Sequence, residues 1–243
     1  MTRKHVRVGI HQAEPGTGFG PEARRSHLDA GVEVLVFPEY FWVRTDDRDH
    51  RDAAEHADRD LAFVREVSLE ADWVVVGGTV VERREDRLHN ACPVFYRGKE
   101  VARYRKVHLM PGEARHGLVA GDGLAVVEWS GLRIVPIICA DVLYPDTFAG
   151  VAGLAADLIV APMSSPFRPD DTNEAKETRD REIFLGGAKR ARAPIVKAGG
   201  VGRLFGRPLQ GRSLVATPRE ILFRTPFDAE SVPSAWIVDV PLE

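Results

Sequence analysis

Cys139 ends an apolar run, Leu132-Arg133-Ile134-Val135-Pro136-Ile137-Ile138-Cys139, and Ala140-Asp141 follow at once. A thiol set where a buried strand gives way to a turn is held by rigid backbone and can still face a cleft. Two other stretches place reactive groups in the same way. Val34-Leu35-Val36-Phe37-Pro38-Glu39 is an apolar strand ending in a carboxylate, and Tyr104-Arg105-Lys106-Val107-His108-Leu109 carries an amine, with Glu113 shortly after it. The thiolate, not the thiol, is the nucleophile. A neighbouring carboxylate can take its proton, and a neighbouring ammonium stabilises the sulfur anion. The same ammonium can stabilise an oxyanion on the attacked carbon, beside the backbone N–H of Ala140. A carboxylate that has accepted a proton can return it to a departing amine. Together these properties suit cleavage of an unactivated C–N bond. Taken singly, the residues have plainer readings: Cys139 as core filling, Glu39 as a solvated loop residue, Lys106 as one charge on an exposed strand.

The elements that must position these groups are legible as runs of β-branched and apolar residues. Strands are expected over 5–11, 32–37, 73–80, 93–96, 125–129, 132–138, 157–161, 194–198, 213–217 and 236–240. Ala54, Ala57, Leu61, Val64 and Val67 recur at spacings of three and four, which predicts one charged helix with an apolar stripe from about Asp49 to Glu70. Further helices are expected over 172–192, from Pro145 or Asp146 to Ala155, and, only briefly, from Pro21 to Ala30. Arg97-Gly98-Lys99, Gly121-Asp122-Gly123 and Ser130-Gly131 read as hairpin turns. Helix-linked strands mixed with hairpins argue for layered sheets with helices outside. No composition shift marks a domain boundary, so residues 1–243 read as one domain, and 164–173 read as a loop bordering a site.

The bulk composition is that of a globular protein, with 44% hydrophobic and 28% charged residues in 243. A net charge of −3 gives no electrostatic case for nucleic acid or an anionic membrane as partner. Two cysteines, Cys92 and Cys139, cannot build a disulfide framework and fit a reducing interior. The apolar stretch after the basic start, Met1-Thr2-Arg3-Lys4-His5, runs only from Val6 to Ile10 and is broken by Arg7, too short for a secretory leader. No run approaches the ~18 apolar residues of a membrane span. A cytoplasmic protein is expected.

The three reactive stretches, in this order, resemble the nitrilase superfamily, the carbon–nitrogen hydrolases, over most of the chain from Val6 to about Pro218. Val36-Phe37-Pro38-Glu39 is similar to the block that carries the family's general base, Tyr104 to Leu109 to its lysine block, and Ile137-Ile138-Cys139-Ala140-Asp141 with Tyr144-Pro145-Asp146 to its nucleophile block. Pro111-Gly112-Glu113 lies where the family keeps a second glutamate that positions lysine and substrate; Gly211, Ser213 and Pro218 resemble its C-terminal signature. The resemblance implies an α/β fold, a four-layer α-β-β-α sandwich, that pairs into a homodimer or higher homo-oligomer. It implies Glu39, Lys106, Cys139 and Glu113 as catalytic residues, the Ala140 N–H at the oxyanion, no cofactor, no metal, and a small amide hydrolysed through a cysteine thioester. A nitrilase or N-carbamoyl hydrolase, an amine acyl transferase using the same thioester, and an inactive binding or scaffold relative are the alternatives.

For the substrate pocket, Tyr40 and Phe41 follow the base and are expected to wall one side. His116, Met163, Ser164 and Arg168 lie on loops after the lysine block and after the 158–162 strand, and Arg168 could meet a substrate carboxylate. The chain departs from the family pattern at Ala140, where an aromatic residue is usual, in its short first helix, and at Lys197-Ala198-Gly199-Gly200, where many relatives carry asparagine or cysteine. Gly200-Val201-Gly202 with Gly206 lacks the helix a phosphate loop needs. His89 with Cys92, or His108 with His116, matches no zinc spacing. A cysteine–histidine pair using His108 or His116 would leave Glu39 and Lys106 without a role.

Overall fold

Each apolar strand has two faces, and the structure gives each face its own layer. The computed structural model describes residues 3–242. Met1, Thr2 and Glu243, which belong to the single-domain reading of 1–243 and to the basic start of the chain, lie outside the described residues. One sheet holds β1 (His5–Gln12), β2 (Val34–Val36), β3 (Val74–Val76), β4 (Val80–Arg84), β5 (Arg87–Tyr96) and β6 (Lys99–Arg105) together with the C-terminal strand β15 (Ser234–Pro241), in the order β15-β1-β2-β3-β5-β4 with β6 also on β5. The other holds β7 (Val127–Trp129), β8 (Leu132–Pro136), β9 (Leu158–Met163), β10 (Ile195–Gly199), β13 (Leu214–Ala216) and β14 (Ile221–Arg224), in the order β14-β13-β10-β9-β8-β7. A small separate ribbon pairs β11 (Arg203–Leu204) with β12 (Arg207–Pro208).

At the centre of each sheet three strands run parallel, β1-β2-β3 and β8-β9-β10, and antiparallel partners flank them. Alternation along these strands builds the layers. Val34 and Val36 share one core with Ile134, Leu158, Val160 and Val196 of the other sheet, so the two sheets pack face to face. Leu35, Phe37 and Val75 turn the opposite way, onto Val64 and Val67 of an outer helix. Val135, Ile159 and Ile195 likewise turn out onto Phe148, Val151, Ala188 and Ala191. A one-residue slip of any central strand would exchange its two faces, and each such fully buried side chain contributes about 1.5–3 kcal/mol. The result is the expected α-β-β-α sandwich.

The helices are α1 (Pro21–Asp29), α2 (His50–Ala54), α3 (Ala57–Val67), α4 (Pro111–Arg115), α5 (Pro145–Gly153), α6 (Asn173–Asp180) and α7 (Gly186–Ala191), with a π turn at Arg181–Leu185 joining the last two. The helix expected from Asp49 to Glu70 is instead two helices that break at Glu55-His56. Asp49 caps the first by accepting from the N–H groups of Arg51 and Asp52. The helical run expected over 172–192 is present and contains the π turn. Thr172 caps its start, and Arg192 ends it in the left-handed region at φ 57°. Arg97-Gly98 and Ser130-Gly131 turn hairpins, all four residues having positive φ. Gly121-Asp122-Gly123 does not. A Cβ on Gly121 would lie 2.3 Å from the Arg105 carbonyl oxygen, and its N–H binds the Lys106 carbonyl at 2.9 Å, so this turn packs against the lysine strand rather than joining two strands. Among the described residues, no helix is long and apolar enough to cross a membrane.

Candidate active site

Four strand ends converge on one point, three of them the carboxyl ends of parallel strands, where ligands commonly bind. Glu39 follows β2, Lys106 follows β6, Cys139 follows β8, and Ser164 follows β9. Lys106 is drawn into the protein interior by backbone: its N–H donates to the Asn90 carbonyl at 2.9 Å, and its carbonyl accepts from Gly121. Its Nζ then reaches Glu39 Oε1 at 2.8 Å and Glu113 Oε1 at 2.9 Å, with all three side chains buried. Glu113 is oriented by the Met110 N–H, which donates to its Oε2 at 2.7 Å across the start of α4. Ser164 Oγ donates to the other oxygen of Glu39.

Tyr40 occupies the left-handed region at φ 58°, fixed by a 2.9 Å bond from its N–H to Thr79 Oγ1. Beside it Gly78, at φ 66°, has no room for a Cβ, which would lie 2.3 Å from the Pro38 carbonyl oxygen. This turn aims the Tyr40 hydroxyl at Glu113 Oε1, 2.6 Å away. Tyr40 therefore belongs to the acid network. Asn90, from the middle of β5, completes that network. Its Nδ2 lies 2.8 Å from Glu39 Oε1, from the Tyr40 hydroxyl and from Glu113 Oε1. The sequence offered no motif for Asn90; its one signal is a polar side chain on a buried stretch of strand.

The nucleophile turn is held as firmly. Cys139 sits in the left-handed region at φ 41°, a conformation that side chains rarely adopt and that surrounding structure must enforce. The enforcing group is Asp141, which is fully buried. Its Oδ2 accepts from the Ile138 N–H at 2.8 Å and the Tyr104 hydroxyl at 2.7 Å, and its Oδ1 accepts from the His108 N–H at 2.9 Å and faces His108 Nδ1 at 3.0 Å. One carboxylate thus ties the turn of Cys139 to the segment following Lys106. Tyr144 stacks on the His108 ring at 3.8 Å.

Electrostatics follow from this burial. Burial and, after it, the Glu39 carboxylate raise the Cys139 thiol, Lys106 and a backbone hydrogen bond at Ser164 oppose them, and the net is a thiol pushed up to about 12. Burial disfavours the Lys106 ammonium, but Glu39, the sulfur of Cys139 and Glu113 outweigh it and hold the group above its ordinary value. Burial raises Glu113, yet Lys106, the Tyr40 hydroxyl and the Met110 N–H bring it net below the usual carboxylate range. Cys139 must therefore lose a proton to react.

A cavity of about 130 Å3 opens beside Cys139 and is lined by Ala140, Met163, Arg168, Phe184 and Lys197, among others. Met163 and Arg168 are among the lining residues, Arg168 at the exposed rim. Of the other expected pocket residues, Tyr40 and Ser164 hydrogen-bond Glu113 and Glu39, and two lie elsewhere. Phe41 is fully buried in the outer core, stacked on Phe37 at 4.9 Å, because its side chain takes the opposite side of the turn from Tyr40. His116 is exposed at the end of α4, its Nδ1 3.0 Å from His50 Nδ1. A larger cavity, about 790 Å3 between α1 and α3, contains none of the reactive groups. Among the described residues, no group of three histidine, cysteine or carboxylate side chains is placed to hold a metal ion.

A sequence model of the carbon–nitrogen hydrolases matches residues 18–237, and the chain belongs to that family. It is 32% identical over 143 residues to the omega-amidase YafV of Yersinia enterocolitica, covering 54% of each chain. It is 26% identical over 197 residues to a nitrilase of Pyrococcus abyssi, covering 78% of this chain and 70% of that one. A chloroplastic omega-amidase of Arabidopsis thaliana is 32% identical over 120 residues, which are 46% of this chain and 32% of the relative. The chain thus spans about a third to a half of the length of the two omega-amidases. In fold it is similar to an amidase from Nesterenkonia sp., with TM-score 0.82 and 19% identity over 99% of this chain and 92% of that one. It is equally similar to a carbon–nitrogen hydrolase from Helicobacter pylori G27, with TM-score 0.82 and 19% identity over 97% and 89%.

Proposed function

We propose that the chain is an amidase that cleaves a small non-peptide amide through a thioester on Cys139. The observation that carries this reading is the buried Lys106 Nζ, shared at 2.8 and 2.9 Å between Glu39 and Glu113 beside the Cys139 thiol. Glu39 takes the thiol proton, and the thiolate attacks the amide carbon. Lys106 and the Ala140 N–H receive the negative charge that develops on the carbonyl oxygen. Glu39 hands its proton to the departing ammonia or amine, then activates the water that hydrolyses the thioester. Glu113, fixed by Met110, Tyr40 and Asn90, holds Lys106 in place and offers an acceptor to the substrate N–H groups. Two of the similar proteins are named omega-amidases. In a mutant of the Nesterenkonia amidase, the acetamide moiety of fluoroacetamide is covalently added at the active-site cysteine. These similarities support a nucleophilic role for Cys139.

Replacing Cys139 with Ala should abolish turnover while leaving the melting temperature near that of the wild type; retained turnover would overturn the proposal. Offering nitriles and N-carbamoyl compounds beside amides separates this reading from the nitrilase and carbamoyl alternatives. Excess hydroxylamine separates hydrolysis from acyl transfer by the product formed. The family resemblance further implies a homo-oligomer, which sedimentation of the purified chain tests.

A further inference from the structure

The lining of the Cys139 cavity includes two buried cations, Lys197 and Arg212, whose charge is only partly answered by the protein. Lys197 lies within β10 on the same face as Ile195, where a strand under an outer helix layer should be apolar. It is fully buried, its Nζ has no hydrogen-bond partner, and it lies 5.1 Å from the centre of the Phe184 ring. Arg212, also buried, is held at φ 45°. Its Nε and Nη1 are without partners, and its Nη2 is 3.7 Å from Asp180 Oδ1, beyond hydrogen-bond distance. Both residues line the cavity that contains Cys139.

The neighbouring carboxylates are shared among several cations; Asp180 Oδ1 has no hydrogen-bond partner and only the 3.7 Å ion pair with Arg212. Asp180 Oδ2 accepts from Arg224 Nε at 3.0 Å. Glu230 accepts from Arg224 Nη2, Lys176 Nζ and Gln210 Nε2 at 2.9, 2.8 and 2.7 Å. Arg179, at the cavity edge, is paired with both oxygens of Asp171. Four buried or nearly buried cations, Lys176, Lys197, Arg212 and Arg224, therefore face two carboxylates, Asp180 and Glu230. Buried charge without a partner is strongly disfavoured, and buried donors are nearly always satisfied. A cavity wall with three unpaired cationic nitrogens on it lacks an acceptor that enters with the ligand.

We propose that Lys197 and Arg212 form an anion subsite of the Cys139 cavity, so that the substrate is a short amide whose acyl part carries a carboxylate. This rests on Cys139 being the nucleophile. The cavity of about 130 Å3 is well below the size that takes drug-sized ligands, which fits a chain of a few carbons between amide and carboxylate. The π turn at Arg181–Leu185 bulges the helical run so that Ile183 and Phe184 close the cavity over these carbons. Burial holds Lys197 down to about 7, with Asp180 opposing and Arg212 and Arg224 adding to the effect. An incoming carboxylate favours its charged form.

The test compares kcat/KM for succinamate and glutaramate with that for butyramide and valeramide, the uncharged amides of the same chain lengths. The wild type should favour the acids by at least about thirtyfold, the range expected of charged hydrogen bonds in a dry site. Lys197→Met should cut that preference at least about tenfold, chiefly through KM, and should keep or raise the melting temperature, because an unpaired buried amine is removed. Equal efficiency on acids and neutral amides, or an unchanged preference in Lys197→Met, would overturn the subsite. Calorimetric titration with glutarate tests it apart from turnover. Binding that weakens at least about tenfold in Lys197→Met upholds the subsite even if no amide is cleaved, a result that would count against the amidase reading alone. Absence of glutarate binding to the wild type would count against the subsite alone.

Discussion

Replacing Asp141 with Asn tests how the nucleophile turn is enforced. The carboxylate accepts at both oxygens, from Ile138 and Tyr104 on one side and from the His108 backbone and ring on the other. An amide keeps the shape and exchanges one oxygen for an N–H group. Whichever side receives it, one backbone N–H, of Ile138 or of His108, loses its acceptor. The Tyr104 hydroxyl or the His108 ring can turn to accept instead. A buried unsatisfied N–H costs about 1–3 kcal/mol, and the surviving bonds lose their charge assistance, each weakening by about 1 kcal/mol. With two bonds surviving on the remaining oxygen, the sum is about 3–5 kcal/mol. In a chain of this size, 1 kcal/mol corresponds to about 2–4 °C, so the melting temperature should fall by roughly 6–20 °C. The strained φ of Cys139 is held by the same bonds, so the thiol should lose its alignment with Glu39, and kcat should fall about 10- to 100-fold with a smaller change in KM. Thermal denaturation followed by circular dichroism, with steady-state kinetics on the same preparations, measures both. A variant that melts within about 2 °C of the wild type and keeps its kcat would refute this account of the turn.

Three further outcomes follow from the same geometry. Asn90→Leu removes the one N–H donor group shared by Glu39, Tyr40 and Glu113; kcat should drop about 100-fold with a loss of about 1–3 kcal/mol in stability, and unchanged kinetics would remove Asn90 from the network. His11 and His27 are buried without hydrogen-bond partners for their ring nitrogens, and burial holds them down to about 3 and about 4, with their mutual repulsion adding to the effect at His11. Because their folded values lie below the unfolded value of 6.5, the folded state binds fewer protons, so stability is full above pH 6.5 and falls with pH below it. At pH 5 the loss is about 2 kcal/mol for each ring, and urea midpoints of His27→Phe should show a correspondingly weaker decline between pH 7 and pH 5. An identical decline in variant and wild type would contradict this. Iodoacetamide should label Cys139 at least about tenfold faster than Cys92, whose thiol is fully buried and pushed up strongly by burial alone. Equal labelling under native conditions would mean that Cys139 has no open cavity.

Glu39 and Cys139 were legible because each follows an apolar run that reads as a buried strand, whereas Lys106 follows the polar run 99–105 and was legible only through the family resemblance. Glu39, Lys106 and Cys139 sit within three residues of the ends of β2, β6 and β8. Layered sheets with helices outside were legible from helix-linked strands mixed with hairpins, and the four-layer sandwich from the family resemblance. What stayed hidden lies where local pattern and tertiary role part. Arg87-Leu88-His89-Asn90 reads as mixed and polar, so β5 appeared to begin at Pro93, and Asn90 was missed with it. Val80–Arg84 turns polar at its outer end, and the β4–β5 hairpin left no turn glycine to find. Phe41 and Tyr40 look alike in sequence, but the positive φ of Tyr40 sends the one to the acid network and the other to the core. Lys197 was visible as a departure from the family, but only the packed structure shows it buried without a partner.

The central claim is that Cys139 carries the acyl group of the substrate, and intact mass spectrometry of acid-quenched turnover tests it most directly. With a short amide in excess, the account predicts a mass increase equal to the acyl group, located on the peptide that contains Cys139, released by hydroxylamine and absent from the Cys139→Ala variant. Amide cleavage without any such adduct, or with the adduct on another residue, would contradict it.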